Sequence, residues 1–320
     1  MRISRKALTV VAVTASVALA SLPVSPAAAS EESGMPAQIS LRLAADPDQV
    51  LKVPAGTGQA EPWTVGDWTG GEDELWEPLG DTGKFNFKSV GNGLCSHRPV
   101  VDGGNIGAWD CEKSEGWTFR RQGDGYQIID LRRGSCLAAA SGKATTLPCT
   151  AAGSAEDVWL PVWEHRAAEP GFPGTITLRL YSDTAQAAVV SASSTVNGAQ
   201  LMLWQIQDMP AYRWNPAAYQ ASNGARVWGL ANVNSGGCVN VAGGGNLDGT
   251  SIIQWTCGGQ QNAVWWFAAQ GAAYQVGGLE SGKCLNVSGG AIPGRPLVLY
   301  ACQPGGAPND AWLPVWEPND

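Results

Sequence analysis

The chain has 320 residues and a net charge of −8, with 28 acidic against 20 basic side chains. That balance, uninterrupted by any basic cluster, argues against nucleic acid and anionic membrane surfaces as partners. Only 15% of residues are charged, while glycine and proline number 41 and 20, which favours short strands and turns, an all-β fold, over helices.

Residues 1–29 read as an export signal. Arg2, Arg5 and Lys6 form a basic start. Ala7 to Ala20 is apolar but too short to span a bilayer comfortably. Ala27-Ala28-Ala29 is a small-residue cleavage site. The expected product begins near Ser30, is secreted and extracellular, and has no membrane insertion after cleavage. Its residues 30–36, short and polar, are expected to be disordered. About 290 residues remain, which suit two domains better than one.

The rest of the chain repeats. Trp76, Trp117, Trp159, Trp214, Trp265 and Trp312 recur at gaps of 41 to 55 residues. Such a period means a stack of small supersecondary units. The two halves also match. Ile39-Ser40-Leu41-Arg42-Leu43 returns as Ile176-Thr177-Leu178-Arg179-Leu180. Trp117-Thr118-Phe119 with Tyr126-Gln127-Ile128 returns as Trp266-Phe267 with Tyr274-Gln275-Val276. Trp159-Leu160-Pro161-Val162-Trp163-Glu164 returns unchanged as Trp312-Leu313-Pro314-Val315-Trp316-Glu317. Three units therefore make one module, and the module occurs twice. The six spaced tryptophans are read as core fillers and not as ligand contacts.

Eight cysteines fall as Cys95/Cys111, Cys136/Cys149, Cys238/Cys257 and Cys284/Cys302, each pair bracketing one unit. With an export signal in front, they read as structural disulfides within units. A zinc site is excluded by the absence of Cys-x-x-Cys and by histidines only at positions 97 and 165. No metal and no cofactor is expected.

The fifth unit shows the pattern most fully. It reads Gly237-Cys238-Val239-Asn240-Val241, then Asp248-Gly249-Thr250 leading to Gln254-Trp255-Thr256-Cys257, then Asn262-Ala263-Val264-Trp265. The sixth repeats it with Cys284-Leu285-Asn286-Val287, Tyr300-Ala301-Cys302 and Asn309-Asp310-Ala311-Trp312. This resembles the ricin B-type lectin family, whose unit runs Cys-Leu-Asp-Val, Asp-Gly-Thr, an aromatic just before the second Cys, and a closing Gln-x-Trp. The resemblance implies two tandem β-trefoil domains, placed at 37–165 and 173–320, the second being the more lectin-like. Ala168-Glu169-Pro170-Gly171-Phe172-Pro173 supplies the punctuation between them.

It also implies a site. In the family a carboxylate two residues after the first Cys accepts sugar hydroxyls, the aromatic stacks on the sugar face, and an Asn three before the closing Trp completes the pocket. The matching positions are Asn240, Trp255 and Asn262 in unit five, and Asn286, Tyr300 and Asn309 in unit six. Both units replace the acceptor-only Asp with Asn, a weaker acceptor. The bland reading of Asn240 and Asn286 is hydrogen bonding within the fold. Unit two offers His97 and Trp109, with Ser114 where the Asn would stand. Unit three has Ala138 and Leu147; units one and four have Lys52 with Trp68 and Val189 with Trp204, and these three sites are expected to be dead. The closing Gln is absent throughout, replaced by Glu74, Glu115, Asp157, Tyr212, Ala263 and Asp310.

The expectation is a non-catalytic carbohydrate-binding protein whose partner is a glycan or polysaccharide. Its competitor is a trefoil that has lost sugar binding and serves as a protein-binding or inhibitory scaffold. An enzyme is disfavoured, because two trefoils use up the chain and no Gly-x-Ser-x-Gly, His-Glu-x-x-His or phosphate loop occurs.

Overall fold

Two rings of six antiparallel strands organise the chain. The computed structural model describes residues 25–26, 37–54, 62–81, 83–97, 103–113, 116–164 and 174–318. The expected cleavage site, residues 30–36 and the Pro/Gly link lie outside the described residues. So does the rest of residues 1–29 except Ser25–Pro26, a two-residue strand paired with Tyr219 and Gln220.

In the first ring Ile39–Leu43, Trp76–Asp81, Lys84–Ser89, Trp117–Gln122, Gly125–Asp130 and Trp159–Trp163 pair in that order. The last strand then returns to the first, from Trp159↔Leu43 to Trp163↔Ile39. In the second ring Ile176–Leu180, Arg213–Gln220, Arg226–Asn232, Trp265–Gln270, Ala273–Gly278 and Trp312–Trp316 close in the same way. Closure leaves no ring strand unpaired at an edge. Each barrel carries three hairpins. In the second these are Asp183–Val190 with Leu201–Gln205, Gly237–Val241 with Ile252–Thr256, and Cys284–Val287 with Leu297–Tyr300. Two closed barrels, each with three hairpins from three repeated units, are two tandem β-trefoils. The fold is all-β, as the composition implied.

All six repeat tryptophans are core residues, none more than 2% exposed. Four anchor their indole N–H on the first strand of their own unit. Trp159 donates to the Leu137 carbonyl, Trp265 to Val239 and Trp312 to Leu285, at 2.9 to 3.0 Å, and Trp117 donates to Ser96 Oγ. Trp76 and Trp214, in the two cysteine-free units, have no partner for Nε1 among the described residues. The disulfides pair sequentially, Cys95–Cys111, Cys136–Cys149, Cys238–Cys257 and Cys284–Cys302. Each closes a loop of 13 to 19 residues, worth roughly 3 kcal/mol on chain entropy alone.

The two barrels exchange side chains. Trp163 ends the last strand of the first barrel, yet packs edge-on against Trp228 at 5.0 Å and Phe267 at 5.5 Å in the second. Trp316 ends the second barrel and packs against Phe85 at 5.4 Å and Phe119 at 5.7 Å in the first. Between them Leu160, Val162, Leu313 and Val315 form an apolar strip, bridged at Val162↔Val315.

Buried charge follows the same exchange. Glu164 accepts from Arg42 Nη2 at 2.9 Å, from Ser40 Oγ at 2.5 Å, and from the Tyr274 hydroxyl of the other barrel at 2.6 Å. Glu317 accepts from Thr177 Oγ1 at 2.8 Å and from the Arg179 guanidinium, and also from Tyr126 and Arg121 of the first barrel. Arg42 donates to the Ala272 carbonyl and Arg179 to that of Asp124, each at a hairpin tip of the opposite barrel. Gly271 and Gly123, at φ +59° and +55°, make those tips, a backbone region that costs glycine least. Burial raises the Tyr126 hydroxyl pKa well above its usual value, and the Glu317 carboxylate raises it further.

Candidate functional site

Each hairpin of the second trefoil presents the same register. Cys238 lies opposite Trp255, and Asn240 opposite Ile253. Cys284 lies opposite Tyr300, and Asn286 opposite Val298. Side chains alternate along a strand, so Asn240 shares a face with Trp255, and Asn286 with Tyr300, as diagonal neighbours. The asparagines are buried, at 4% and 5% exposure, while Trp255 and Tyr300 stand 44% and 45% exposed.

The second asparagine joins from the loop before the closing Trp. Asn262 Nδ2 donates to Asn240 Oδ1 at 3.0 Å and to the Val241 carbonyl at 3.0 Å. Asn309 Nδ2 donates to Asn286 Oδ1 at 2.9 Å and to the Val287 carbonyl at 3.0 Å. All six sequence-predicted positions therefore assemble into two matching clusters: a buried and a half-buried amide, hydrogen-bonded to each other, beside an exposed aromatic. Such a cluster offers a π-face for C–H groups and amides for hydroxyls.

The other units fall where the register puts them. In unit two His97 and Trp109 share a face, with ring centroids 5.5 Å apart, while Ser114 lies outside the described residues. Unit three brings only Ala138 and Leu147. In unit four Val189 and Trp204 occupy the acceptor and aromatic positions, and Trp204 is 42% exposed. There Val189, Met202, Trp204, Met209 and Tyr212 line an open cleft of about 420 Å³. Unit one differs from the sequence alignment. Lys52 lies opposite Thr64, so the aromatic position is Gly66. Trp68 lies instead under the Arg42 guanidinium, 4.1 Å from its ring centroid, and faces the Gly271 carbonyl of the second trefoil.

Three of the four acidic residues at the closing-Gln position hold their own loops, and the fourth, Glu115, lies outside the described residues. Asp157 accepts from the backbone and hydroxyls of Thr150 and Ser154, and from Gln127 Nε2. Asp310 accepts from the amides of Gln303 and Ala307 and from Gln275 Nε2. Glu74, fully buried, accepts from the amides of Thr69 and Gly70 and pairs with Lys52 at 2.5 Å. A carboxylate accepts more of these donors than an amide oxygen can. Burial alone would raise the Glu74 and Asp157 pKa values. Their hydrogen bonds, led by Lys52 for Glu74 and by the Ser154 amide for Asp157, bring both below the ordinary value. The folded forms then bind protons less readily than the unfolded chain. Stability should be level above about pH 5 and fall as pH drops through the depressed pKa values. Melting temperature against pH checks this, and Asp157→Asn should lower stability at pH 7 while making the acid slope shallower.

Among the described residues no group of three or more His, Cys, Asp or Glu is placed to hold a metal. Nor is any helix there long and apolar enough to cross a membrane.

The profile of the family described as "ricin-type beta-trefoil lectin domain-like" matches residues 162–255 and 210–300. Residues 162–300 are thus similar to a ricin-type β-trefoil lectin-like domain. Both asparagine clusters begin within the matched span, which ends at Tyr300, and Asn309 follows it. No curated protein matches the chain. Among solved structures it is similar to the designed three-fold symmetric protein ThreeFoil, at 23% identity and a TM-score of 0.40 over 44% of this chain and 97% of that one. It is similar to the hemolytic lectin CEL-III at 19% and 0.35, over 89% and 64% of the two chains. It is similar to the agglutinin from Abrus precatorius at 14% and 0.34, over 89% and 98%.

Proposed function

We propose that this is a secreted, non-catalytic, carbohydrate-binding protein that holds a glycan or polysaccharide mainly through its second trefoil. The observation that carries the reading is the duplication of one arrangement. Asn240/Asn262 with Trp255 and Asn286/Asn309 with Tyr300 share the same register, the same two hydrogen bonds and the same exposed aromatic. Packing does not require a half-exposed aromatic at that place twice. The ring offers its face to a pyranose, and the amide pair beside it meets hydroxyls. Each shallow cluster is weak alone, and two on one rigid body gain by avidity on a polymer.

The test is a glycan and polysaccharide binding screen with the mature chain, followed by Trp255→Ala and Tyr300→Ala. Each single variant should lose affinity several-fold to about tenfold, consistent with roughly 0.5–1.5 kcal/mol for one aromatic contact. The double variant should lose binding without a large change in melting temperature. Trp265→Ala, by contrast, should unfold at markedly lower temperature. Wild-type affinity in the double variant would show that the sites are misplaced.

The second reading, a protein-binding scaffold, rests on the fourth unit. Its cleft has exchanged the sugar-type polar groups for Val189, Met202 and Met209 beside an exposed Trp204. A chain that binds no glycan in the screen belongs to that class.

A further inference from the structure

The fourth unit departs from the fifth and sixth at each position that would serve a sugar, and the departures share one direction. Val189 stands where Asn240 and Asn286 stand. Ala211 stands three residues before the closing Trp214, where the other units have Asn262 and Asn309. Tyr212 takes the position from which Asp157 and Asp310 accept their loop amides. It is 4% exposed and lines the cleft of about 420 Å³. Its hydroxyl has no hydrogen-bond partner among the described residues, and burial alone raises its pKa. The buried hydroxyls of Tyr126 and Tyr274, by contrast, each reach a carboxylate. Nor is the Tyr212 oxygen sealed away, as the partnerless Trp214 Nε1 is. It opens into the cleft.

The turn after Val190 departs as well. Unit five makes this turn with Gly243 and Gly244 at φ +63° and +64°, and unit six with Gly289 and Gly290 at +74° and +103°. Unit four makes it with Ala192 and Ser193 at +53° and +50°. Left-handed backbone is costly for any residue with a Cβ. Unit four keeps two side chains there despite that cost, and both line the cleft. Trp204 is its braced wall. Gly294 N donates to the Leu203 carbonyl at 2.7 Å, and Leu203 N to the Arg295 carbonyl at 2.9 Å. A Cβ built on Gly294 would lie 3.0 Å from Trp204 Cζ3, so the indole is held at one edge while 42% exposed.

The lining chemistry selects an occupant. An indole face and the thioethers of Met202 and Met209 favour an aromatic ring. None of the residues lining the cleft is Asp, Glu, Lys, Arg or His, so a charged ligand would find no counter-ion. The Tyr212 O–H offers one donor to an acceptor carried on the ring. The volume falls within the range of small-ligand sites. We propose that the unit-four cleft binds a small neutral aromatic carbonyl group, an aryl ester or amide, with its ring against Trp204 and its carbonyl oxygen accepting from the Tyr212 hydroxyl. The proposal stands apart from the sugar clusters of units five and six and does not need them. A free aromatic ester and a polysaccharide esterified by an aromatic acid carry the same group.

The experiment applies isothermal titration and saturation-transfer NMR to the mature chain. The probes are methyl ferulate, methyl cyclohexanecarboxylate, the ferulate anion, and feruloylated arabinoxylan before and after alkaline de-esterification. Methyl ferulate should saturate the chain, and the cyclohexane ester and the anion should bind at least about threefold more weakly. Tyr212→Phe should weaken methyl ferulate about three- to tenfold at unchanged melting temperature, because the hydroxyl holds no protein group. Ala192→Gly combined with Ser193→Gly should also weaken it, while the melting temperature holds or rises as the turn is relieved. Trp255→Ala combined with Tyr300→Ala should leave it unchanged. Polymer binding that falls on de-esterification and in Tyr212→Phe identifies the polysaccharide as the source; binding of methyl ferulate without it identifies the free ester. No saturable binding of methyl ferulate, wild-type affinity in Tyr212→Phe, equal binding of the cyclohexane ester or the anion, or loss of affinity in the Trp255/Tyr300 double variant would overturn the proposal. The carbohydrate reading is decided separately, by the glycan screen and its own two aromatics.

Discussion

Trp163→Ala is expected to destabilise the second trefoil, although residue 163 belongs to the last strand of the first. The indole is 2% exposed and meets Trp228 and Phe267 edge-on. Truncating it leaves a cavity among aromatic side chains that are already closely packed, at a cost of about 3–5 kcal/mol. In a fold of this size that lowers the melting temperature on the order of 10 °C. Amide hydrogen exchange should locate the loss in residues 176–316. Trp316→Ala should produce the mirror result around Phe85 and Phe119. It follows that the barrels unfold together, and that either half expressed alone lacks a piece of its own core. Loss of protection confined to residues 39–159 in Trp163→Ala would refute the exchange.

Much of this architecture is legible in the sequence, and its gaps have physical causes. The tryptophan period, the cysteine bracketing and the Asn–aromatic–Asn pattern are local properties of single units, and each appears in the structure where the sequence put it. Trp163 and Trp316 were visible as repeated letters, but a two-fold repeat reads the same whether each tryptophan fills its own barrel or the other. Arg42 and Arg179 sit inside apolar strand patterns, and their carboxylates lie 122 and 138 residues away. No local rule connects them. Trp68 was misplaced because unit one lacks cysteines to fix its register, and two residues along a strand keep the same face. The acids at the closing-Gln position were legible as a departure only. Their role needs the loop amides of residues 69–70, 150–154 and 303–307 folded around them.

Glu317→Leu should cost about as much as the loss of a core aromatic, and more than Glu164→Leu. Glu317 and Arg179 are 1% and 0% exposed, and removing one partner strands the other as a buried charge, at about 3–5 kcal/mol. Arg121 keeps Asp208 at 3.2 Å as a second carboxylate, and Tyr126 keeps the Arg121 guanidinium at 3.1 Å. Among the described residues Arg179 keeps only neutral hydrogen-bond partners, Thr177 Oγ1 and the Asp124 carbonyl, with the Asp124 carboxylate a weaker charge nearby. Arg42, the counterpart of Arg179, has an additional hold on the face of Trp68, which softens the loss of Glu164. Chemical denaturation of Glu317→Leu, Arg179→Met and the double variant separates charge from packing. The double variant should recover a large part of the single losses, because two buried charges are then exchanged for apolar volume. Losses that simply add, or a single-variant cost under about 1 kcal/mol, would mean that water reaches this pair and that the barrels are joined by their tryptophans and apolar strip alone.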